Sequence, residues 1–534
     1  MGFNPVRTNL TNYITMKSKI GILITIFILI LSSCTKTTWD DHYTKVPETI
    51  NTNVWDAVKG RSDLSRFVDL MVKYKLDSLF KSNDTYTLFI PDNTAIEKLM
   101  QSKDIGATIL NYNIARELVQ PVDIQGKRKL QTMEEKFSTF ESVGGKSTYD
   151  GLPMSFESPL YLNGKFFILS EVAQPKPNLY EYFAQSNSYL KAYIDSKDSI
   201  VLDKVKSRAI GYDSKGRTVY DTVSTRENKV YLKYQFDMSK EYRAWTATLA
   251  FPRQATYEAG LTEMAHKLGG NFNDYKDIPM KWQQEILIPH LLEHGVFLNM
   301  LDASEFKTTD LLTKRKRFNM TNINQDSIIV SYTPTDRYLC SNGVTYDYKT
   351  FSVPDSLFSG TEKYEGEWLS ISTGANKYTW RKNVSVSSSP STFNVTNNYI
   401  KGLSNDSLLV VNFTKGYTGT FVLQFPTKDL FPRKYRMVIT THMDIGGVYD
   451  VYVNDVLATT FDYYAYVKGR GTIKSVTGSS FTPLIGGRYN RFDCWVNNIT
   501  EYGKAIIRFE YKGPGTSVPN NGLAIDVIEF IPAL

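Results

Sequence analysis

Cysteine is scarce in this 534-residue chain, three in all, and that scarcity excludes a disulfide framework as the main source of stability. Cys340 and Cys494 lie far apart and read as free, buried thiols in different domains. A strong charge of either sign is also missing. The chain has 62 Lys and Arg against 55 Asp and Glu, and 59 against 55 without Arg7, Lys17 and Lys19 of the first 33 residues, so net charge gives no case for a nucleic-acid partner. The apolar run from Ile20 to Leu31 is twelve residues long, whereas a spanning helix needs roughly 20. No stretch carries a decisive catalytic motif, so the chain is expected to be no enzyme and to hold no cofactor.

The run that is present organises the rest. Lys17 and Lys19 flank it, and Leu31-Ser32-Ser33-Cys34 closes it with small residues where a peptidase must approach the backbone, the pattern of an export signal. Leu-Ser-Ser-Cys resembles the lipobox of bacterial lipoproteins. The resemblance implies that residues 1–33 are removed (Met16 offers an alternative start) and that Cys34 is lipidated as the mature N-terminus. Each buried acyl methylene adds roughly 0.8 kcal/mol, so two or more chains hold the folded part stably at a membrane. Asp40-Asp41 resembles the short acidic tag of surface lipoproteins of the Bacteroidetes, which implies the outer membrane, facing outside; an ordinary solvated linker reads the same way. Residues 34–50, polar and carrying Pro47, suit a spacer.

Regular patterning begins at residue 51. Val54, Ala57 and Val58, then Leu64, Phe67, Val68, Met71 and Val72, recur at helical spacing. Tyr86 to Ile90 reads as a strand, and Pro91-Asp92-Asn93 as a turn capping a helix through Ala95, Ile96 and Leu99. Asp84 to Ile96 resembles the first signature of fasciclin domains, Ile109-Leu110-Asn111-Tyr112-Asn113 their Leu-Leu-x-Tyr-His core with Asn113 in place of histidine, and Tyr161 to Val172 their closing Asn-Gly strand. Residues 51–176 are therefore expected to form a fasciclin domain.

The same order recurs. Thr246 to Tyr257 repeats the strand, proline and turn, Ile288-Pro-His-Leu-Leu-Glu-His294 echoes the Leu-Leu core, and Ser341-Asn-Gly-Val-Thr-Tyr346 supplies a closing strand. Residues 177–360 are read as a second, diverged fasciclin domain, with an insertion at about 195–229 that turns at Asp213-Ser-Lys-Gly216. His290 to His294 also fits the His-x-x-Glu-His pattern of one zinc metallopeptidase class, with Glu293 to activate water and Glu362, Glu365 or Glu367 as a third ligand. Against it, the fasciclin register places Leu291, Leu292 and His294 in a structural core and Pro289 puts His290 in a first helical turn. The histidines are therefore expected to be structural and free of zinc. The basic run Lys314-Arg-Lys-Arg317 fits an acidic polysaccharide, or a charged edge strand that discourages pairing.

From about residue 361 the texture becomes all-β. Phe421–Phe425, Tyr435–Thr440, Val448–Val453, Arg491–Val496, Ala505–Tyr511 and Leu523–Phe530 have strand lengths and suit an antiparallel sandwich. The last of these resembles the final strand of galactose-binding-like and carbohydrate-binding jelly rolls. The fold expected is thus tandem α+β fasciclin domains followed by an all-β jelly-roll-like sandwich over 361–534. Flat polar ligands need aromatic faces beside hydrogen-bonding groups, and Tyr463, Tyr464, Tyr466, Lys468 and Arg470 are the richest such cluster, the competing reading being half-buried sheet residues. Trp380 is a further candidate; Trp495, inside an apolar strand, is expected in the core. Two function classes follow. One is an accessory surface lipoprotein holding a glycan or polypeptide for a TonB-dependent importer and its companion lipoproteins; the other is an adhesin that binds matrix or neighbouring cells through its fasciclin domains.

Overall fold

The computed structural model describes residues 49–533, except 83, 122–123, 125, 204, 307–319, 376, 389–392, 443–444, 463–472, 475–479, 482–488 and 516–519. Two units are present, one of residues up to Lys176 with Glu241–Arg243, the other of Pro177–Lys240 and the chain from Ala244 onward. Cys34 and the basic run 314–317 lie outside the described residues.

In the first unit, helices α1 (Val54–Lys59) and α2 (Ser65–Lys73) precede strand β1 (Tyr86–Pro91), buried along its whole length. Helix α3 (Asn93–Met100) follows at once, capped by Asp92, whose carboxylate accepts from the Ala95 amide at 2.8 Å. Helix α4 (Ala107–Tyr112) leads into β2 (Ile114–Ala115), and strands β3 (Gly126–Gln131), β4 (Phe137–Val143), β5 (Lys146–Tyr149) and β6 (Leu152–Glu157) lead to β7 (Gly164–Leu169). Strand β1 pairs parallel with β7 and antiparallel with β2. Its faces serve two cores: Leu88 and Ile90 join the helices, while Phe89 stacks on Tyr149 in the other layer. That is why this strand reads as a continuous apolar run.

The second unit repeats the device. Helices α5 (Leu179–Ser186) and α6 (Ser188–Ser196) lead into a double hairpin, β8 (Asp198–Leu202) on β11 (Ser224–Asn228) and β9 (Arg208–Tyr212) on β10 (Thr218–Asp221). The inner turn closes where expected, with the Gly216 amide donating to the Asp213 carbonyl. Strand β12 (Ala247–Ala250) then precedes α7 (Gln254–Leu268), and α8 (Ile288–Gly295) runs into β13 (Val296–Leu298). Strand β14 (Pro334–Leu339) pairs with β15 (Gly343–Tyr348), and β12 pairs parallel with β15 and antiparallel with β13.

Register superposes the two patterns residue by residue. Tyr86 faces Gly164 as Ala247 faces Gly343, and Thr87 faces Ala115 as Thr248 faces Phe297. Counting back from β2 and β13, Asn113 corresponds to Gly295 and Tyr112 to His294. The expected placement of His294 in the Leu-Leu core histidine slot is therefore off by one. Gly295 fills that slot because a Cβ there would stand 2.2 Å from the Ala250 carbonyl oxygen.

Beyond residue 361 the chain is a sandwich. One sheet has the order β16 (Glu362–Glu365), β28 (Val527–Pro532), β21 (Tyr435–His442), β25 (Tyr489–Val496); the other runs β17 (Ser385–Ser388), β20 (Phe421–Leu430), β26 (Gly503–Gly513), β23 (Val448–Val453), β24 (Val456–Asp462). A third runs β18 (Phe393–Tyr399), β19 (Ser407–Phe413), β27 (Asn520–Ile525), β22 (Ile445–Gly446). Met437, Ile439, Phe492, Phe530, Leu423, Val451, Phe509 and Leu523 are among the residues of one shared core. The final strand, expected to run unbroken from Leu523 to Phe530, breaks at Asp526 and passes from the third sheet to the first. The sandwich joins residues 177–360 through an aromatic seam, Phe431 lying 5.5 Å from Trp282 and 5.1 Å from Tyr502.

Candidate functional site

The expected ligand residues Tyr463, Tyr464, Tyr466, Lys468 and Arg470 lie outside the described residues. Phe461 of β24, shortly before them in sequence, stacks on Phe492 of β25 inside the core with centroids 4.4 Å apart.

Along β25 the alternation is strict. Phe492, Cys494 and Val496 are buried in the core, which turns Arg491, Asp493 and Trp495 to the opposite face. Trp495 is 38% exposed, not a core residue as expected; it follows Arg491 and Asp493 at a spacing of two and so lies on their face, where residue type alone misplaces it. The ammonium of Lys434 stands 4.0 Å from its ring centroid. Beside it Arg436 Nε donates to Asp493 Oδ2 at 2.8 Å. An exposed indole, a cation and a part-buried ion pair thus share one sheet face. Trp380 is half-buried against the core instead.

A second cluster was not visible in sequence. Asp526, Glu365 and Glu367 converge where the final strand changes sheet: the Ser404 hydroxyl donates to Glu365 at 2.7 Å, the Ser404 amide to Asp526 at 3.1 Å, and the Asn405 amide group to Glu367 at 3.3 Å. Burial, reinforced by Glu365 and Glu367 and opposed by the Ser404 amide and Arg491, pushes Asp526 up to about 7. Burial also raises Glu367. The available signal was a carboxylate inside an apolar run at 523–530. These are hard oxygen donors, yet among the described residues no group of three or more His, Cys, Asp or Glu is disposed to hold a metal ion. Glu365 and Glu367 are engaged with Ser404 and Asn405.

The third feature is a cleft of about 460 Å³ bounded by Lys267, His290, His294, Tyr332, Tyr348 and Asp355. The imidazoles of His290 and His294 lie 4.1 Å apart, centroid to centroid, tilted by 38°. The Nδ1 of His294 is 2.8 Å from the His290 carbonyl oxygen. Burial and the neighbouring His294, against Glu293, push the His290 imidazole down to about 4.

Residues 62–167 match the Fasciclin domain family and contain β1, α4 and the start of β7. A search of curated proteins found no match. Among solved structures the chain is similar to a xanthan lyase from Paenibacillus at 14% identity and a TM-score of 0.23, over 36% of this chain and 16% of that one. It is similar to a FAS1 domain pair from the insect cell adhesion molecule Fasciclin I at 13% identity and a TM-score of 0.20, over 55% and 98% of the two chains. A family 35 carbohydrate-binding module from Clostridium thermocellum aligns at 11% identity and a TM-score of 0.19, over 33% and 99%. The chain thus spans under a fifth of the xanthan lyase.

Proposed function

We propose that this chain is a lipid-anchored, non-catalytic binding protein of the outer membrane, facing outside, in which the C-terminal sandwich holds a glycan or polypeptide for a TonB-dependent uptake system. On this reading both α+β domains are fasciclin domains that act as spacer and docking surface. The anchor rests on the lipobox at Cys34. The ligand role rests on one observation, the exposed Trp495 ring beside Lys434 and the Arg436–Asp493 pair. Such a face offers an apolar plane to a sugar or peptide together with charged hydrogen-bonding groups. The sequence adds Tyr463, Tyr464, Tyr466, Lys468 and Arg470, which lie outside the described residues.

A glycan array and a pull-down with the soluble chain from residue 35 onward test the ligand. Trp495→Ala is expected to weaken binding about fivefold, and Tyr464→Ala with Tyr466→Ala about tenfold or more, with the fold intact, since each stacked ring contributes on the order of 1 kcal/mol. Full-strength binding by both variants moves the site elsewhere. Cys34→Ala is expected to release the chain from the membrane fraction.

The Fasciclin domain at 62–167 favours a second reading, an adhesin that binds matrix or neighbouring cells. Genes for an importer and hydrolases beside this one support the first reading, and capture of matrix protein by residues 51–360 alone supports the second.

A further inference from the structure

We propose that His290 and His294 form an open two-histidine site for a borderline divalent cation, Zn²⁺, Ni²⁺ or Cu²⁺, in the wall of the cleft they line. The two residues are four apart on α8, so their side chains leave the same helical face. Their rings are 4.1 Å apart, close enough for one ion to sit roughly 2.0–2.1 Å from a nitrogen of each. The tautomer of His294 follows from its contact. A carbonyl oxygen only accepts, so Nδ1 carries the proton it donates to His290, leaving the Nε2 lone pair for a metal. A backbone carbonyl holding the far nitrogen is the usual support of a ligating imidazole.

The tight place against Ala250 is taken by Gly295 and not by His294. Nor does Pro289 end the helix before them. The chain stays helical from Met280 to Gly295 through a π turn at Gln283–Leu287, which lies over the carbonyls that the Pro289 ring would otherwise meet.

Among the described residues no third His, Cys, Asp or Glu joins the pair. The remaining coordination positions therefore fall to water or to a donor from outside, and the cleft of about 460 Å³ leaves room for a carboxylate or an imidazole of another molecule.

Its test is titration of the full chain in detergent, without an affinity tag, with Zn²⁺ and with Cu²⁺. One equivalent is expected to bind, with nitrogen coupling from two imidazoles in the Cu²⁺ electron paramagnetic resonance spectrum. His290→Ala and His294→Gln are each expected to lose at least about tenfold in affinity, and His266→Gln none. The glutamine at 294 can still donate to the His290 carbonyl, so an unchanged thermal midpoint in that variant separates a lost ligand from a lost fold. Binding of no ion, coupling from a single imidazole, or affinity unmoved in both variants overturns the assignment.

Discussion

The first α+β domain and the second hold one strand-and-turn device with different side chains. In each, an Asn-Gly pair opens the closing strand. Asn163 accepts from the Val54 amide and Asn342 from the Leu179 amide, each at 2.9 Å, and so each asparagine ties the first helix of its domain to the sheet. In each, a threonine on the central strand bridges the segment after the short antiparallel strand: Thr87 donates to the Glu117 carbonyl and accepts from the Val119 amide, as Thr248 does with Asn299 and Leu301. The helix after the strand is where they part. Asp92 caps it in the first domain, while Arg253, at the matching position, makes no side-chain cap. There Asp347, buried on the neighbouring strand, accepts from the Arg253 amide at 2.8 Å, the Tyr348 amide at 2.7 Å and the Thr256 hydroxyl at 3.2 Å. Where backbone packs on backbone, only one residue type fits; at the helix start the two domains use a carboxylate differently, Asp92 accepting from the Ala95 amide and Asp347 from the amide of Arg253 itself.

The largest effect should come from the glycines. A Cβ on Gly164 would meet the Tyr86 carbonyl oxygen at 2.0 Å and one on Gly343 the Ala247 oxygen at 2.2 Å, with no flexible side chain to yield. Gly164→Ala and Gly343→Ala are each expected to cost more than about 4 kcal/mol and to unfold their own domain. Hydrogen exchange by mass spectrometry reads each domain separately, which matters because one midpoint does not describe several domains. Tolerance of alanine at either position would mean the two strands are not held alike.

The sandwich supplies the contrast. Asp347 has three donors, whereas Asp526 sits beside two other carboxylates and its folded pKa is raised to about 7. A raised carboxylate leaves stability intact below its unfolded value near 3.9 and loses it as pH climbs to about 7. The sandwich is expected to lose about 2–4 kcal/mol across that window, and Asp526→Asn should flatten the loss while keeping an acceptor for Ser404. Denaturant midpoints at pH 4 and pH 8 decide it; a wild-type sandwich that strengthens over this range would show that a proton does not resolve the cluster.

The asparagines come next. Besides Leu179, Asn342 serves the Met238 carbonyl at 2.8 Å and the Lys240 carbonyl at 2.9 Å, while the Asn163 amide nitrogen meets no acceptor among the described residues. Asn342→Ala should therefore cost about 3 kcal/mol and Asn163→Ala about 1 kcal/mol. Equal losses would mean that the pin to the helix, common to both, carries the energy.

Much of this was legible before any coordinates. The strand at Tyr86, the Asp92 turn and both Asn-Gly pairs show in sequence because each residue type answers a backbone requirement at its own position. The one-residue shift at His294 did not, since it depends on how closely Gly295 approaches a strand some 45 residues earlier. Trp495 was misread from its residue type, although its spacing of two from Arg491 and Asp493 puts it on the charged face of β25. Strands such as Ser385–Ser388 and Phe393–Tyr399, rich in Ser, Thr and Asn, carry no apolar pattern to find. The tyrosine cluster at 463–470 remains a reading of sequence alone.

The smallest expected difference sets the capped helix start of the first domain against the uncapped one of the second. Asp92→Ala removes the acceptor of the Ala95 amide and should cost about 1 kcal/mol, with Asp92→Asn restoring nearly all of it. Arg253→Ala removes no cap. It gives up a hydrogen bond to the Tyr182 hydroxyl at 3.2 Å and ion pairs in which its own side chain is 39% exposed, contacts that contribute about 0.5 kcal/mol or less when water competes for them. Exchange of the first-turn amides should tell the two apart more clearly than the midpoints do. In Asp92→Ala the Ala95 amide should exchange faster than its neighbours, and in Arg253→Ala the Arg253-position amide should stay protected, because Asp347 still accepts from it. Loss of protection there would mean that the Arg253 side chain, and not the strand carboxylate, holds the start of the helix.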